Sequence, residues 1–235
     1  MRIIRALTAA SLMVASILPV AAQEVMVTAT RSPSNRDGFQ GTSIPIITLR
    51  RTADFAVQRV SITGDTRDEA LRRKEIYTMV RSAIEQAGKH GVELATGDYV
   101  VEALTLANYG DLLLSRDGRP DSERTSFIIK VKLEPGMDAR AALDRIAKFI
   151  KAVPPAGRAQ IEKSGDMTLS VLSPDQYRNK IIEMIAADAA ATAARFGPGY
   201  GVEVRGLDRP VEWSRASLTE VFLYLPAAYV IVPKA

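Results

Sequence analysis

Three stretches of the chain carry apolar residues at the three- and four-residue spacing of a helix with one buried face, and most of what lies between them alternates as strands do. The clearest is 173–196 (SPDQYRNKIIEMIAADAAATAARF), with Tyr177, Ile181, Met184 and Ile185 on one stripe and a run of alanines with high helix propensity after it. Ser173, Pro174 and Gln176 predict a Ser-x-x-Gln capping box at its start, and Gly197, Pro198 and Gly199 predict its end. A second helix is expected after Thr66 and Glu69, read as another capping box, with Ile76, Met79, Val80, Ala83, Ile84 and Ala87 on its apolar face and a stop at Gly91. Asp138 caps a third, which buries Leu143, Ile146, Phe149, Ile150 and Val153 before Pro154 and Pro155.

The strand-like runs fill the gaps. Phe55, Val57, Val60 and Ile62 mark a strand that ends at Gly64. Residues 92–106 and 125–133 read as two strands joined by a polar linker, 108–123, expected to be an exposed hairpin loop and a candidate recognition element, or else disordered. Residues 158–172 read as two strands around Ser164-Gly165-Asp166, or as one strand with a bulge. Residues 202–207 form a strand after the alanine-rich helix, and 213–232 form one or two terminal strands with Pro226 at an edge or bulge. Helices joining antiparallel strands predict an α+β fold: twisted antiparallel sheets with three amphipathic helices packed on one side.

The ends of the pattern differ from its middle. Arg2 and Arg5 precede an apolar run from Ala6 to Val20, and Ala21 and Ala22 supply small residues before Gln23, so residues 1–22 are expected to be a cleaved signal peptide. Removing 22 of 235 residues leaves 213, and no later run is long and apolar enough to span a membrane. Residues 23–52, rich in Ser, Pro, Asn and Gly, form a mobile or strand-pairing arm, and 53–235 form the folded domain. Two apolar pieces of the arm, 25–30 and 44–49, suit strand addition to a sheet edge.

Composition narrows the chemistry. The net charge of +4 falls to +2 when Arg2 and Arg5 leave with the signal, which gives no support to nucleic-acid binding. The chain has no cysteine and one histidine. Thiol catalysis and thiolate metal sites are excluded, and an exported chain without disulfides fits a Gram-negative type of periplasm. His90, beside Lys89 and Gly91, is read as a helix C-terminal residue and not a general base. No nucleophile elbow, P-loop, zinc motif or dinucleotide fingerprint occurs, and Gly197-Pro-Gly-Tyr-Gly201 follows a helix where a phosphate cradle would open one. The expected cofactors, metals and catalytic residues are therefore none, with fold-assembled carboxylates such as Glu183, Asp188 and Glu203 as the enzymatic alternative. Asp188 interrupts the apolar face of the alanine-rich helix, and reads either as an acid satisfied at the surface or by an Arg, or as a buried acid at a ligand site. Trp213, Tyr224 and Tyr229 are read as packing residues.

Two resemblances add to this. Residues 24–31 (EVMVTATR) resemble the TonB box of TonB-dependent outer-membrane receptors, which implies partner capture through Val25, Val27, Thr28, Thr30 and Arg31 by an accessory of that transport system. The runs VQRVSITGDTRDEALRR, TSFIIKVKLEPGMDARAALDRIAKFI, MTLSVLSPD and GYGVEVRGLD resemble, in that order and with the helices between them, the SIMPL-domain family (DUF541). That resemblance implies a periplasmic or outer-membrane-associated envelope protein that self-assembles into homo-oligomers and has a loose link to envelope stress. The arm and the tail from Trp213 onward depart from the family pattern.

Overall fold

The structure, a computed structural model, describes residues 24–25, 44–97 and 101–234. In chain order the elements are β1 (Glu24–Val25), β2 (Leu49–Thr52), β3 (Phe55–Gly64), α1 (Glu69–Ala87), β4 (Glu93–Thr96), β5 (Glu102–Ala103), β6 (Ser115–Arg116), β7 (Glu123–Lys132), α2 (Ala139–Ala152), β8 (Gln160–Lys163), β9 (Thr168–Leu172), α3 (Arg178–Ala194), β10 (Tyr200–Arg205), β11 (Glu212–Arg215), β12 (Glu220–Tyr224) and β13 (Ala228–Pro233). The fold is α+β, and the described residues form three α-helices and three sheets in which every pairing is antiparallel.

The main sheet runs β1-β9-β3-β7-β4-β5, with β6 also on β7 and β8 also on β3. The apolar residues of β3 change phase along the strand, and the sheet shows why. Ala56, Val60 and Ile62 face the main core with Phe127, Ile129 and Val131 of β7, whereas Phe55 and Val57 face a second cluster with Ala95 and Ile128. One end of β3 is thus covered on both faces. All three helices contribute to the main core: Ile76, Met79, Val80 and Ala83 from α1, Ala142, Ile146 and Phe149 from α2, Ile181 and Ile185 from α3.

Strands β8 and β9 lie end to end along β3, which answers the alternative left open by the sequence in favour of a bulged strand. Val60 pairs with Lys163 and Val57 with Thr168, so two extra residues are inserted between the pairs. The insertion frees carbonyls from the ladder, and Gln58 satisfies them. Its side chain, 2% exposed, donates from Nε2 to Ser164 O at 3.3 Å and Gly165 O at 3.0 Å, as well as to Arg59 O. Replacing Gln58 by Leu keeps the bulk and leaves those carbonyls without a donor. The expected cost is about 1–3 kcal/mol, read as a lower urea midpoint with an unchanged slope.

Helix ends depart from the sequence expectation in two places. The cap of α1 is Asp68, whose Oδ1 accepts from Leu71 N at 2.7 Å, and Thr66 instead donates to Glu75 Oε2 at 2.6 Å. A carboxylate one residue before Glu69 is the better partner for the positive end of the helix. At α3, Ser173 is left-handed (φ 43°, ψ 61°) and makes no cap bond, and Pro174–Tyr177 form a 3-10 turn before the α-helix. An N-cap needs extended backbone, so no capping box forms, and Gln176 Nε2 donates back to Leu172 O. The start of α3 is held from outside: Arg178 donates to Leu207 O and Arg209 O, and Asp175 Oδ1 accepts from Val211 N at 2.9 Å. Asp138 caps α2 by accepting from Arg140 N.

Two strand expectations are also corrected, and the linker between two of the strands proves to be ordered. The described residues of 92–106 hold two short antiparallel strands, β4 and β5, and not one strand, and Gly97 at φ 109° takes a conformation that side chains disfavour inside a strand. The 108–123 linker is tied down: Leu112, Ser122 and Glu123 are buried, Tyr77 Oη donates to Leu112 O at 2.8 Å, and β6 pairs with β7. It is ordered, and most of it lies at the surface, with Leu113 87% exposed. The terminal region holds three strands: β11 and β12 form a hairpin that continues onto β2, and after Pro226 the chain crosses to pair β13 with β10.

Residues 49–52 of the predicted arm therefore belong to a folded sheet. Ile47 and Leu49 pack on the main core. The corner after β2 is a junction: Asp54 Oδ2 accepts from Leu172 N at 2.7 Å, Oδ1 pairs with Arg51 at 2.7 Å, and the Arg51 guanidinium lies 4.6 Å from the Tyr177 ring centre and donates to its hydroxyl.

Candidate functional site

Buried positions recur every four residues along α3, at Ile181, Ile185, Ala189 and Ala193. Small alanines on this stripe let the β10–β13 ribbon lie close against the helix. Alternation along β13 turns Tyr229 and Ile231 inward and leaves Ala228 and Val230 exposed. The inward Tyr229 reaches Asp188, and its Oη donates to Asp188 Oδ2 at 2.7 Å. A carboxylate only accepts, so the phenol proton is committed there, and the 3.3 Å contact between Thr192 Oγ1 and Tyr229 Oη is a bond donated by Thr192.

Asp188 is half-buried at one wall of a cleft of about 280 Å³ between 45–47, α3 and the start of β13. Its other walls are mainly Ile47, Ile185, Leu225 and Ala227, with Ile46 and Ala228 at the rim. Among the described residues the lining holds one carboxylate and no basic residue. Of the two readings of Asp188, the satisfied acid has its partner in a tyrosine rather than an arginine, and the cleft beside it keeps the ligand reading in play. Tyr229 was expected only to pack. It stands 41 residues from Asp188 in the chain. Only the in-and-out alternation of β13 hinted that it faces a helix.

The other candidate carboxylates are not gathered with Asp188. Glu183 pairs with Lys180 at 3.5 Å, and Glu203 with Arg205 at 2.7 Å. Among the described residues no group of three or more His, Asp or Glu is arranged to hold a metal ion. His90 sits in a 3-10 turn at the end of α1, followed by left-handed Gly91, and its ring and that of Phe149 meet at a steep angle with centroids 6.0 Å apart. A hollow of about 460 Å³ beside it is lined by Lys89, Arg145 and Lys148 against Asp144. A larger polar hollow, about 530 Å³, carries Arg119 and Arg158 with Asp65 and Glu162, and there Arg158 pairs with Asp65 at 2.8 Å.

Of the arm residues expected to capture a partner, Val25 lies in β1, which pairs Glu24 with Leu172 and Val25 with Val171 at the edge of the main sheet. Val27, Thr28, Thr30 and Arg31 lie outside the described residues. The ribbon offers more surface. In the described structure β10 and β13 pair only with each other, six residues against six, and Phe196, Tyr200 and Val230 on or beside them are exposed. Among the described residues no helix is long and apolar enough to cross a membrane. Comparison with protein-family models and with curated proteins finds no match to this chain.

Proposed function

We propose that this chain is a non-enzymatic protein of the bacterial envelope, periplasmic or associated with the outer membrane, that works by binding and by assembling with copies of itself. The observation that carries this is the β10–β13 ribbon. A two-stranded ribbon with open edges is a template for another strand. Its charge pattern is self-complementary: an antiparallel β10–β10 pair with Val204 on the two-fold axis sets Glu203 of each copy opposite Arg205 of the other, and opposite charges face to face stabilise such a pair. The exposed Phe196, Tyr200 and Val230 supply apolar area beside that edge. The SIMPL-like order of elements agrees with an assembling envelope protein.

The test is light scattering on the chain from Gln23 onward. The expected result is a stable oligomer that dissociates in Glu203→Arg and in Arg205→Glu, and re-forms in the double exchange E203R/R205E. A monomer at every concentration, or an oligomer indifferent to both single changes, overturns the proposal.

A further inference from the structure

The cleft beside Asp188 combines three properties that select a ligand. Its carboxylate is held by the Thr192–Tyr229–Asp188 chain of hydrogen bonds, which occupies Oδ2 and leaves Oδ1 without a hydrogen bond among the described residues. Its walls are otherwise apolar, with Ile185 and Leu225 almost fully buried beneath it. Among the described residues no Lys, Arg or His lines the cleft to neutralise the acid.

We propose that this cleft binds a small primary amine carried on an apolar body, with the ammonium on Asp188 and the hydrocarbon against Ile47, Ile185 and Leu225. An ammonium offers three donors and a full positive charge to a carboxylate that can only accept, and the bond gains strength where apolar walls thin out water. An alcohol brings one neutral donor. A carboxylate ligand meets like charge. The volume of about 280 Å³ lies just below the range of roughly 300–1,000 Å³ for small-molecule sites, which limits the body to a short alkyl chain or a single ring. Because Tyr229 fixes the carboxylate before the ligand arrives, little ordering of the protein is needed on binding.

This inference is independent of self-assembly, and its test reads ligand heat and not particle mass. Calorimetry on the chain from Gln23 onward uses hexylamine, hexanol and hexanoate as probes. Hexylamine is expected to saturate one site per chain, with hexanol about tenfold weaker or more and hexanoate weaker still. Asp188→Asn keeps the shape and removes the charge, so the advantage of hexylamine over hexanol is expected to fall about tenfold. Ala228→Phe, at the exposed rim, is expected to block all three probes and serves as the second variant if Asp188→Asn proves unstable. Failure of hexylamine to saturate the unmodified chain overturns the proposal. So does an unchanged hexylamine affinity in Asp188→Asn or in Ala228→Phe.

Discussion

Replacing Arg72 by Met is expected to cost about 3–5 kcal/mol of stability, because it leaves a carboxylate in the interior without its main partner. Arg72 on α1 is 5% exposed and Glu123 at the start of β7 is 9% exposed. Arg72 Nε donates to Glu123 Oε2 at 2.8 Å, and Arg72 also donates to Thr66 O at 2.8 Å, so one guanidinium ties helix, sheet and the turn between them. Arg73 adds a longer contact to Glu123 Oε1 at 3.3 Å, from a half-exposed position that cannot replace the first. A typical domain has about 5–15 kcal/mol in total, so the variant is expected to unfold at a markedly lower urea concentration. The double change R72M/E123L removes both charges and is expected to recover most of the loss, since an apolar pair in the same space leaves nothing unpaired. Recovery in the double variant separates this explanation from a simple packing defect at Arg72.

The same pair sets an acid limit. Burial pushes the Glu123 carboxyl upward, but the hydrogen bonds and charges of Arg72 and Arg73 outweigh it and hold the group below the ordinary carboxylate range. A carboxyl depressed in the folded state contributes its full stability above the unfolded value of about 4.3, and that contribution is lost as pH falls through the folded value. The stability of the unmodified chain is therefore expected to drop along that acid limb. The drop should be shallower in Arg72→Met, which has less depression of Glu123 left to lose.

Phe149→Ala is expected to be comparably severe, at about 3–5 kcal/mol. Phe149 is fully buried on α2, facing the core between α1 and the sheet, and its ring also makes an edge-type contact with His90. The residue beside it provides the control. Ile150 is half-buried at the margin of the same core, so Ile150→Ala should cost clearly less in the same urea titration. Equal costs would mean that α2 is less firmly seated on the core than its burial indicates. His90→Ala removes only one ring contact from a half-buried position, and should lie well below both.

Much of this architecture is written locally. The spacing of Ile76, Met79, Val80 and Ala83, and of Ile146 and Phe149, is enough to place α1 and α2, because a helix repeats its buried face within its own length. The phase change between Val57 and Val60 was visible too, though its meaning depends on which neighbours cover each face of β3. What could not be read is whatever pairs distant residues. Gln58 looks like an ordinary polar position until the carbonyls of Ser164 and Gly165 are placed over it. Ser173 carries every local mark of a cap, yet the path from β9 into the turn puts it in the left-handed region. Asp188 was legible as an acid on an apolar face; Tyr229, the cleft and the segment at Pro45 that completes it were not.

The small sheet β11-β12-β2 also has a consequence for the order of folding. Among the described residues strand β2 pairs only with β12, Leu49 with Leu223 and Thr52 with Glu220, and Arg50 and Glu220 are joined across 170 positions of the chain. Closing a loop of that length yields nothing until both strands are present, and distant pairings are the slow ones. Residues 49–52 must therefore wait for residues 220–223 to come into place, while β3, α1 and β7 can already assemble. The interval leaves β2, and the apolar Ile46 and Ile47 before it, uncovered on a half-formed core, where an unpaired edge invites the wrong strand.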